Sequence, residues 1–292
     1  MVCHISKSLI LPGDDEMIKK IGVVSRYDKH EALEMVERII ARFRDEVDIF
    51  LSPRTAEHLG NKYACMPIDS MRDAGVELII SVGGDGTVLR TISKMDDPLP
   101  LLAINMGTLG FLVDVKPEEA IEAIENVLQG FTYTERSRLA VQLNEDQLPC
   151  ATNELVLITS RPAKILSFSV CVDESQIDEM RADGVVIATP TGSTAYAMSA
   201  GGPIIDPRVD ATLIVPLAPF KLSARPWVVP GSSKIRLTMT MPEKEAVIVL
   251  DGQHTYHIHE HDVITLTRAR DPARFVKMPI DGFYEKVKNK LA

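Results

Sequence analysis

Several things are scarce or missing in these 292 residues. The cysteines are only Cys3, Cys65, Cys150 and Cys171, and none forms a CxxC pair. That argues against a disulfide scaffold or a zinc ribbon. No Asn-x-Ser/Thr acceptor site is present. The longest apolar runs, Leu99–Ile104 and Thr212–Phe220, fall far short of the about 20 residues a membrane-crossing helix needs. Near the start, Lys7 precedes only Ser8–Leu11 as an apolar stretch, too short for the core of a secretory signal. Basic residues are the minority, 32 Lys and Arg against 41 Asp and Glu, for a net charge of −9. A broad nucleic-acid footprint is excluded on that balance, though a local basic pocket is not. Glycine (17) and proline (18) are too few for a fibre or a long disordered tract. The expectation is a cytoplasmic protein with reduced thiols and neither a membrane nor a nucleic-acid partner.

Common catalytic signatures are missing as well. There is no GxxxxGK[ST] loop, no GxGxxG fingerprint, no GxSxG elbow and no HExxH. What is present is an ordinary globular balance, 45% hydrophobic and 25% charged, with room for two domains of about 150 residues each.

The first half alternates strands and helices. Ile21–Ser25, Val47–Leu51, Glu77–Val82 and Leu99–Ile104 read as strands. Asp28–Arg44 carries apolar residues at 32, 33, 35, 36, 39, 40 and 43, a helical period. Val88–Met95 reads as a helix. So does Pro117–Leu128, with Pro117, Glu118 and Glu119 suiting its first turn and Gly130 its end. This alternation predicts a parallel sheet covered by helices. From residue 132 the pattern changes to short strands, at 139–143, 155–158, 165–172, 185–188, 212–215, 234–239, 246–250 and 263–267. Only Gly192–Ser199 offers a helical start there. The expected organisation is a flexible extension over 1–16, an α/β domain over 17–131 and a β-rich domain over 132–271. Residues 272–292 are expected to be helical and to pack back on the first domain.

Three segments carry chemistry. Gly83-Gly84-Asp85-Gly86-Thr87 follows an apolar strand and opens a helix. Glycines there let backbone N–H groups approach a phosphate, and the helix points its positive end at the same place. Asp85 beside a phosphate cradle makes sense if it serves phosphoryl transfer by orienting an attacking hydroxyl. A capped strand-to-helix turn is the plain alternative. A second glycine loop, Asn105-Met106-Gly107-Thr108-Leu109-Gly110-Phe111-Leu112, follows the next strand, so the two would share a crevice. The third is Asp183–Pro203, a buried strand running into hydroxyls and glycines that suits a polar ligand or, more plainly, a loop. His254, His257, His259 and His261 cluster too, but in an extended strand they read as a solvated face without a completed metal set. Trp227 and Phe220 read as core.

Taken together, GGDGT at 83–87, NMGTLGFL at 105–112, TNEL at 152–155, DGVVIATPTGSTAYAMSAGGPI at 183–204 and DGQ at 251–253 resemble the NAD kinases. GGDG is shared with diacylglycerol kinases, sphingosine kinases and phosphofructokinases, whereas TPTGSTAY is far more specific. The resemblance implies a Rossmann-like α/β domain followed by an all-β sandwich-like domain. It implies a homodimer or homotetramer in which neighbouring subunits contribute to the site. It also implies ATP or polyphosphate as donor, NAD as acceptor, and magnesium. By motif position Asp85 would accept the proton of the adenosine ribose 2′-hydroxyl. Gly83, Gly84, Gly86, Thr87, Gly107 and Thr108 would hold the donor phosphates. Arg90 would face phosphate, Phe111 would wall the pocket, and Asn153 with Glu154 would hold the adenosine. Lys164, Arg181 and Asp183 would make polar contacts to the dinucleotide. Thr194, Ala195, Tyr196, Ala197, Met198 and Ser199 would line it, with Ala218 and Gln253 nearby. Arg90, Lys164 and Arg181 supply cations that an acidic chain otherwise lacks. Two competitors are a lipid kinase bearing the same GGDG loop and a module that binds NAD without chemistry.

Overall fold

The computed structural model describes residues 17–108, 110–161, 164–240, 245–278 and 282–291. The extension expected over 1–16 and the Leu109 position of the second glycine loop lie outside these residues. Two compact units are present, one running to Glu135 and resuming at Ala273, the other Arg136–Pro272. Among the described residues no helix is long and apolar enough to cross a membrane.

The first unit contains β1 (Lys20–Ser25), α1 (His30–Phe43), β2 (Asp48–Leu51), α2 (Pro53–His58), β3 (Leu78–Gly83), α3 (Asp85–Ile92), β4 (Leu101–Asn105), α4 (Ala120–Leu128) and β5 (Tyr133–Arg136). It is completed by a returning strand, Ala273–Val276, and a last helix, Phe283–Leu291. The sheet order is β2-β1-β3-β4-(Ala273–Val276)-β5, and β1 to β4 pair in parallel. α1 forms because its apolar residues recur on one face: Ala32, Met35, Val36, Ile39, Ile40 and Phe43 are all buried. The strand after β1 pairs on one side of it and the next strand pairs on the other. That reversal opens a crevice at the carboxyl ends of β1 and β3.

The second unit is a pair of antiparallel sheets. Its strands are β6 (Leu139–Leu143), β7 (Asp146–Ala151), β8 (Glu154–Thr159), β9 (Leu166–Val172), β10 (Ser175–Ala182) and β11 (Gly184–Ala188). After the short helix α5 (Tyr196–Ser199) come β12 (Ala211–Leu217), β13 (Trp227–Pro230), β14 (Ile235–Met239), β15 (Ala246–Leu250), β16 (His254–Ile258) and β17 (Val263–Arg268). One sheet runs β10-β9-β14-β17-β6-β7 and the other β13-β12-β11-β8-β15-β16. Their inner faces share one core that includes Phe168, Val170, Leu237 and Leu266 from the first sheet and Leu155, Leu157, Val185, Ile187 and Ile248 from the second. That is a β-sandwich. The far face of the second sheet is covered too, by Ala197 packed on Val186, Ala188, Leu213 and Val215. Burial on both faces explains why β11 and β12 read as unbroken apolar runs.

The structure departs from the sequence reading at identifiable places. α3 begins at Asp85 rather than Val88, because Gly84 serves as its N-cap and glycine disguises a helix start. β7, β10 and β13 went unrecognised. All three are edge strands, and an edge tolerates Pro149 and the charged run in Ser175–Ala182. The returning strand Ala273–Val276 was also unexpected. The His-rich strand stops at Ile258, and His261 sits at φ 68° in a turn. His257, His259 and His261 therefore do not share a strand face. Trp227 and Phe220 are not core: they are 44% and 67% exposed.

Gly184 marks the tightest point of the second sheet. A Cβ there would collide with the Leu157 carbonyl oxygen and stand 3.0 Å from the Ile158 Cα. Neither backbone atom can rotate away. Gly184→Ala is expected to destabilise the protein by about 1–3 kcal/mol, read as a lower thermal midpoint.

Candidate active site

In the first unit the carboxyl ends of three neighbouring strands gather the polar loops. β3 ends in Gly83, whose carbonyl accepts the Met106 N–H at 3.0 Å. The two glycine loops are thereby side by side. Gly83 must be glycine because a Cβ would collide with Thr87 Oγ1. Gly84 and Gly86 face open space, with nothing within 4 Å of a built Cβ. They present the first turn of α3 to whatever binds, a suitable end for phosphate.

Asp85 ties the two loops together. Its carboxylate accepts the Phe111 N–H at 2.8 Å and the Leu112 N–H at 3.1 Å. Gly110 allows the approach, since a Cβ there would collide with Asp85 Oδ1 and stand 2.6 Å from Val113 Cγ2. Gly107 and Thr108 are exposed, and the Gly107 N–H donates to Asn105 Oδ1 at 2.9 Å. Thr87 is buried against Gly83, so its side chain packs the turn. Arg90 lies over the Tyr27 ring, 5.6 Å from its centroid, and Arg54 lies over the same ring at 5.4 Å. Tyr27 belongs to the loop after β1 and was not a sequence candidate. No local motif marks it.

In the second unit the predicted residues fall into two groups. One group sits where β8 begins, β11 ends and β15 ends. Ala188 pairs with Glu154, and Leu250 pairs with Leu155. Asn153 and Glu154 are buried there, at 8% and 7% exposure. Asp251, in the left-handed region at φ 48°, accepts three successive backbone N–H groups. They come from Thr152 at 2.7 Å, Asn153 at 2.8 Å and Glu154 at 3.0 Å. Asp251 belongs to the DGQ motif, and its role shows only once β15 is seen beside β8. Gly192 packs so closely that a Cβ would collide with the Asn153 carbonyl oxygen.

Burial pushes both carboxyl groups up. Glu154 rises to about 8, because it is desolvated and stands near Asp251. Asp251 also rises through desolvation, opposed by its three backbone donors and by the charge of Arg138. Those donors identify Asp251 as the charged partner and Glu154 as the proton carrier at neutral pH. Asn153 Oδ1 and Glu154 Oε2 are buried with no hydrogen-bond partner among the described residues. Buried polar atoms without partners are uncommon in a folded protein, and these two suit a polar ligand.

The hydroxyl-rich segment contributes less than its composition promised. Thr189 Oγ1 donates to the Thr152 carbonyl, Ser193 Oγ to Ile205 and Thr194 Oγ1 to Thr191. These hydroxyls fold the segment. Ala197 is fully buried in the apolar layer, so its side chain does not line a site. Tyr196 and Ser199 are exposed, while Ala195 and Met198 are partly buried. Gln253 is exposed one turn beyond Asp251, its N–H on the Leu250 carbonyl at 2.8 Å.

The other group lies at the opposite end of β11. The Asp183 N–H donates to the Leu217 carbonyl at 3.0 Å. Ala218 follows with φ 43°, unusual for a residue with a Cβ. Arg181 covers the exposed Phe220 ring at 5.1 Å. Lys164 is exposed after β8. The five residues of β11 separate the two groups by roughly 17 Å.

Open glycine backbone at the start of α3, with the Asp85 carboxylate beside it, suits a protein that handles phosphate groups. The family comparisons say which. The ATP-NAD kinase N-terminal domain matches residues 21–132 and the C-terminal domain matches 152–278. The NAD kinase of Methanosarcina mazei is 58% identical over 280 residues, 96% of each chain. That of Methanothermobacter thermautotrophicus is 45% identical over 276 residues, 93% of this chain and 96% of its own. The crystal structure of an NAD kinase from Archaeoglobus fulgidus in complex with ATP has a TM-score of 0.75 at 29% identity, covering 93% of this chain and 97% of that one. Yeast NADH kinase complexed with NADH shares the fold, with a TM-score of 0.87 at 24% identity over 94% of this chain and 88% of that one. The chain belongs to the NAD kinase family and is an enzyme of that family.

Glu154 yields a pH test. Its folded pKa is raised, to about 8, so between the unfolded carboxylate range and about 8 the native state binds more protons than the unfolded state. Stability therefore falls as pH rises through that window. The thermal midpoint of the ligand-free protein is expected to drop between pH 6 and pH 8. Glu154→Gln, which cannot ionise, is expected to flatten that slope.

Proposed function

We propose that this enzyme transfers the γ-phosphate of ATP to the 2′-hydroxyl of the adenosine ribose of NAD, producing NADP and ADP. The observation that carries the reading is Asp85. It stands at the first turn of α3 beside the open backbone of Gly84 and Gly86. In the reaction the ribose oxygen bonds to the γ-phosphorus, the bond to the bridging oxygen of ADP breaks, and the hydroxyl proton passes to Asp85. The turn of α3 would hold the donor phosphates, and Arg90 would offset their charge. Asn153 and Glu154 would hold the adenosine. Glu154 carries a proton when the site is free, so it can donate as well as accept.

Magnesium fits this arrangement as a companion of the donor. Among the described residues no group of three or more His, Cys, Asp or Glu could cage a metal. The ion would be held mainly by phosphates, with Asp85 the carboxylate at hand, and would neutralise charge on the transferring group. Cys65, Cys150 and Cys171 form no disulfide among the described residues, which suits a cytoplasmic enzyme.

The two groups at opposite ends of β11 support a homo-oligomer in which neighbouring subunits complete each other's dinucleotide site. One copy would supply Asn153, Glu154 and Tyr196, the next Arg181, Asp183 and Ala218. Exposed apolar side chains in the loop after the second group, Phe220 and Leu222 at 93% exposure, suit such contact. Light scattering after size exclusion is expected to give a dimer or tetramer; a monomer that is fully active would remove this part of the reading.

Asp85→Asn, which keeps one of the two acceptor oxygens, is expected to fold with the 110–112 loop loosened and to lose about 10²–10⁴-fold in turnover. The assay is NADP formation from NAD, ATP and magnesium, detected with an NADP-specific dehydrogenase. Wild-type turnover by that variant would overturn the assignment. NADP formed with polyphosphate but not with ATP would overturn the donor.

A further inference from the structure

The last helix brings Lys286 to the loop that holds Asp85. Its ammonium pairs with Asp114 and lies 3.5 Å from the Phe111 carbonyl oxygen. The same residue, Phe111, directs its N–H to Asp85 at 2.8 Å. Residue 111 is therefore gripped from both sides, its N–H by the carboxylate and its C=O by the ammonium. Lys290, one turn further along the helix, stands 4.2 Å from the centroid of the Phe111 ring, a cation–π contact. The Lys286 side chain is only 13% exposed. Burial lowers its pKa, and the nearby charge of Asp85 opposes that shift. The lysine is thus enclosed with the site rather than extended from the surface.

We infer that Lys286 is a positioning residue for phosphoryl transfer: it fixes the 110–114 loop and, through the Phe111 and Leu112 amides, the carboxylate of Asp85. The inference rests on the reading of Asp85 as proton acceptor. Its physical basis is alignment. A base displaced by about 1 Å loses up to roughly 100-fold in rate while ground-state binding is little changed. Nothing local in the sequence marks Lys286, because it lies 201 residues beyond Asp85 (286 − 85) and meets the loop only in the fold.

The test compares Lys286→Met and Asp114→Asn with wild type in the full-length enzyme. Each removes one partner of the Lys286–Asp114 pair that ties the last helix to the loop, so a folding failure in one leaves the other informative. The expected result is a fall in kcat of roughly 10–100-fold with KM for NAD and ATP within about twofold. Lys286→Arg, which keeps the charge, should recover part of kcat. Hydrogen exchange should show the Phe111 and Leu112 amides opening faster in Lys286→Met than in wild type. Unchanged kcat in both variants would overturn the inference. So would a rise in KM for ATP at constant kcat, which would make Lys286 a ligand of the donor phosphates instead. If Asp85→Asn is inactive while both variants are normal, the base assignment stands and only this inference fails. If Asp85→Asn is active, both fail.

Discussion

Backbone N–H groups freed by irregular loops need acceptors, and in this protein buried or half-buried carboxylates supply them. Asp85 takes two amides from the second glycine loop. Asp251 takes three from the turn that opens β8. Each tie joins segments far apart in the chain, and each lies where the candidate chemistry is. The glycines follow from this arrangement. Gly110 lets Asp85 reach its donors, and Gly192 lets the hydroxyl-rich segment lie against Asn153. A side chain at either place would hold the partners apart.

The two carboxyl sites are tuned differently by the same physics. Asp85 stays at the end of a helix, partly open and beside glycines with empty space before them. That suits a group that must meet a substrate hydroxyl. Glu154 is enclosed near a second carboxylate and keeps its proton to about pH 8. That suits a group that reads ribose or base by hydrogen bonding. The fold sets the two carboxyl groups apart: a parallel sheet with crevice-forming loops carries Asp85, and a two-sheet sandwich carries Glu154.

What could be read in advance follows from how local each signal is. The α1 stripe, the apolar cores of β1, β3, β8, β11 and β12, and the glycine turns all announce themselves within a few residues. The edge strands β7, β10 and β13 did not, because a strand bonded on one side tolerates charge and proline. Trp227 and Phe220 were misread for a related reason. Large aromatics are usually buried, yet Trp227 opens the edge strand β13 and Phe220 lies in the loop after β12, and both are exposed. The hydroxyls of Thr189, Ser193 and Thr194 looked like ligand donors in the sequence but have partners in the fold, Thr189 on the Thr152 carbonyl and the other two within their own segment.

The sequence by itself determined the family, the order of the strand–helix and strand-only halves, and the residue types at the glycine-walled turn. Those depend on short-range spacing, which a single chain displays without folding. Tertiary structure alone decided which amides Asp85 and Asp251 would hold, which end of β11 each dinucleotide candidate would occupy, and that Lys286 would close on Phe111. Each of those is a meeting of distant segments. Its geometry is set by sheet order and by the need to satisfy backbone groups away from water, and no local pattern encodes either.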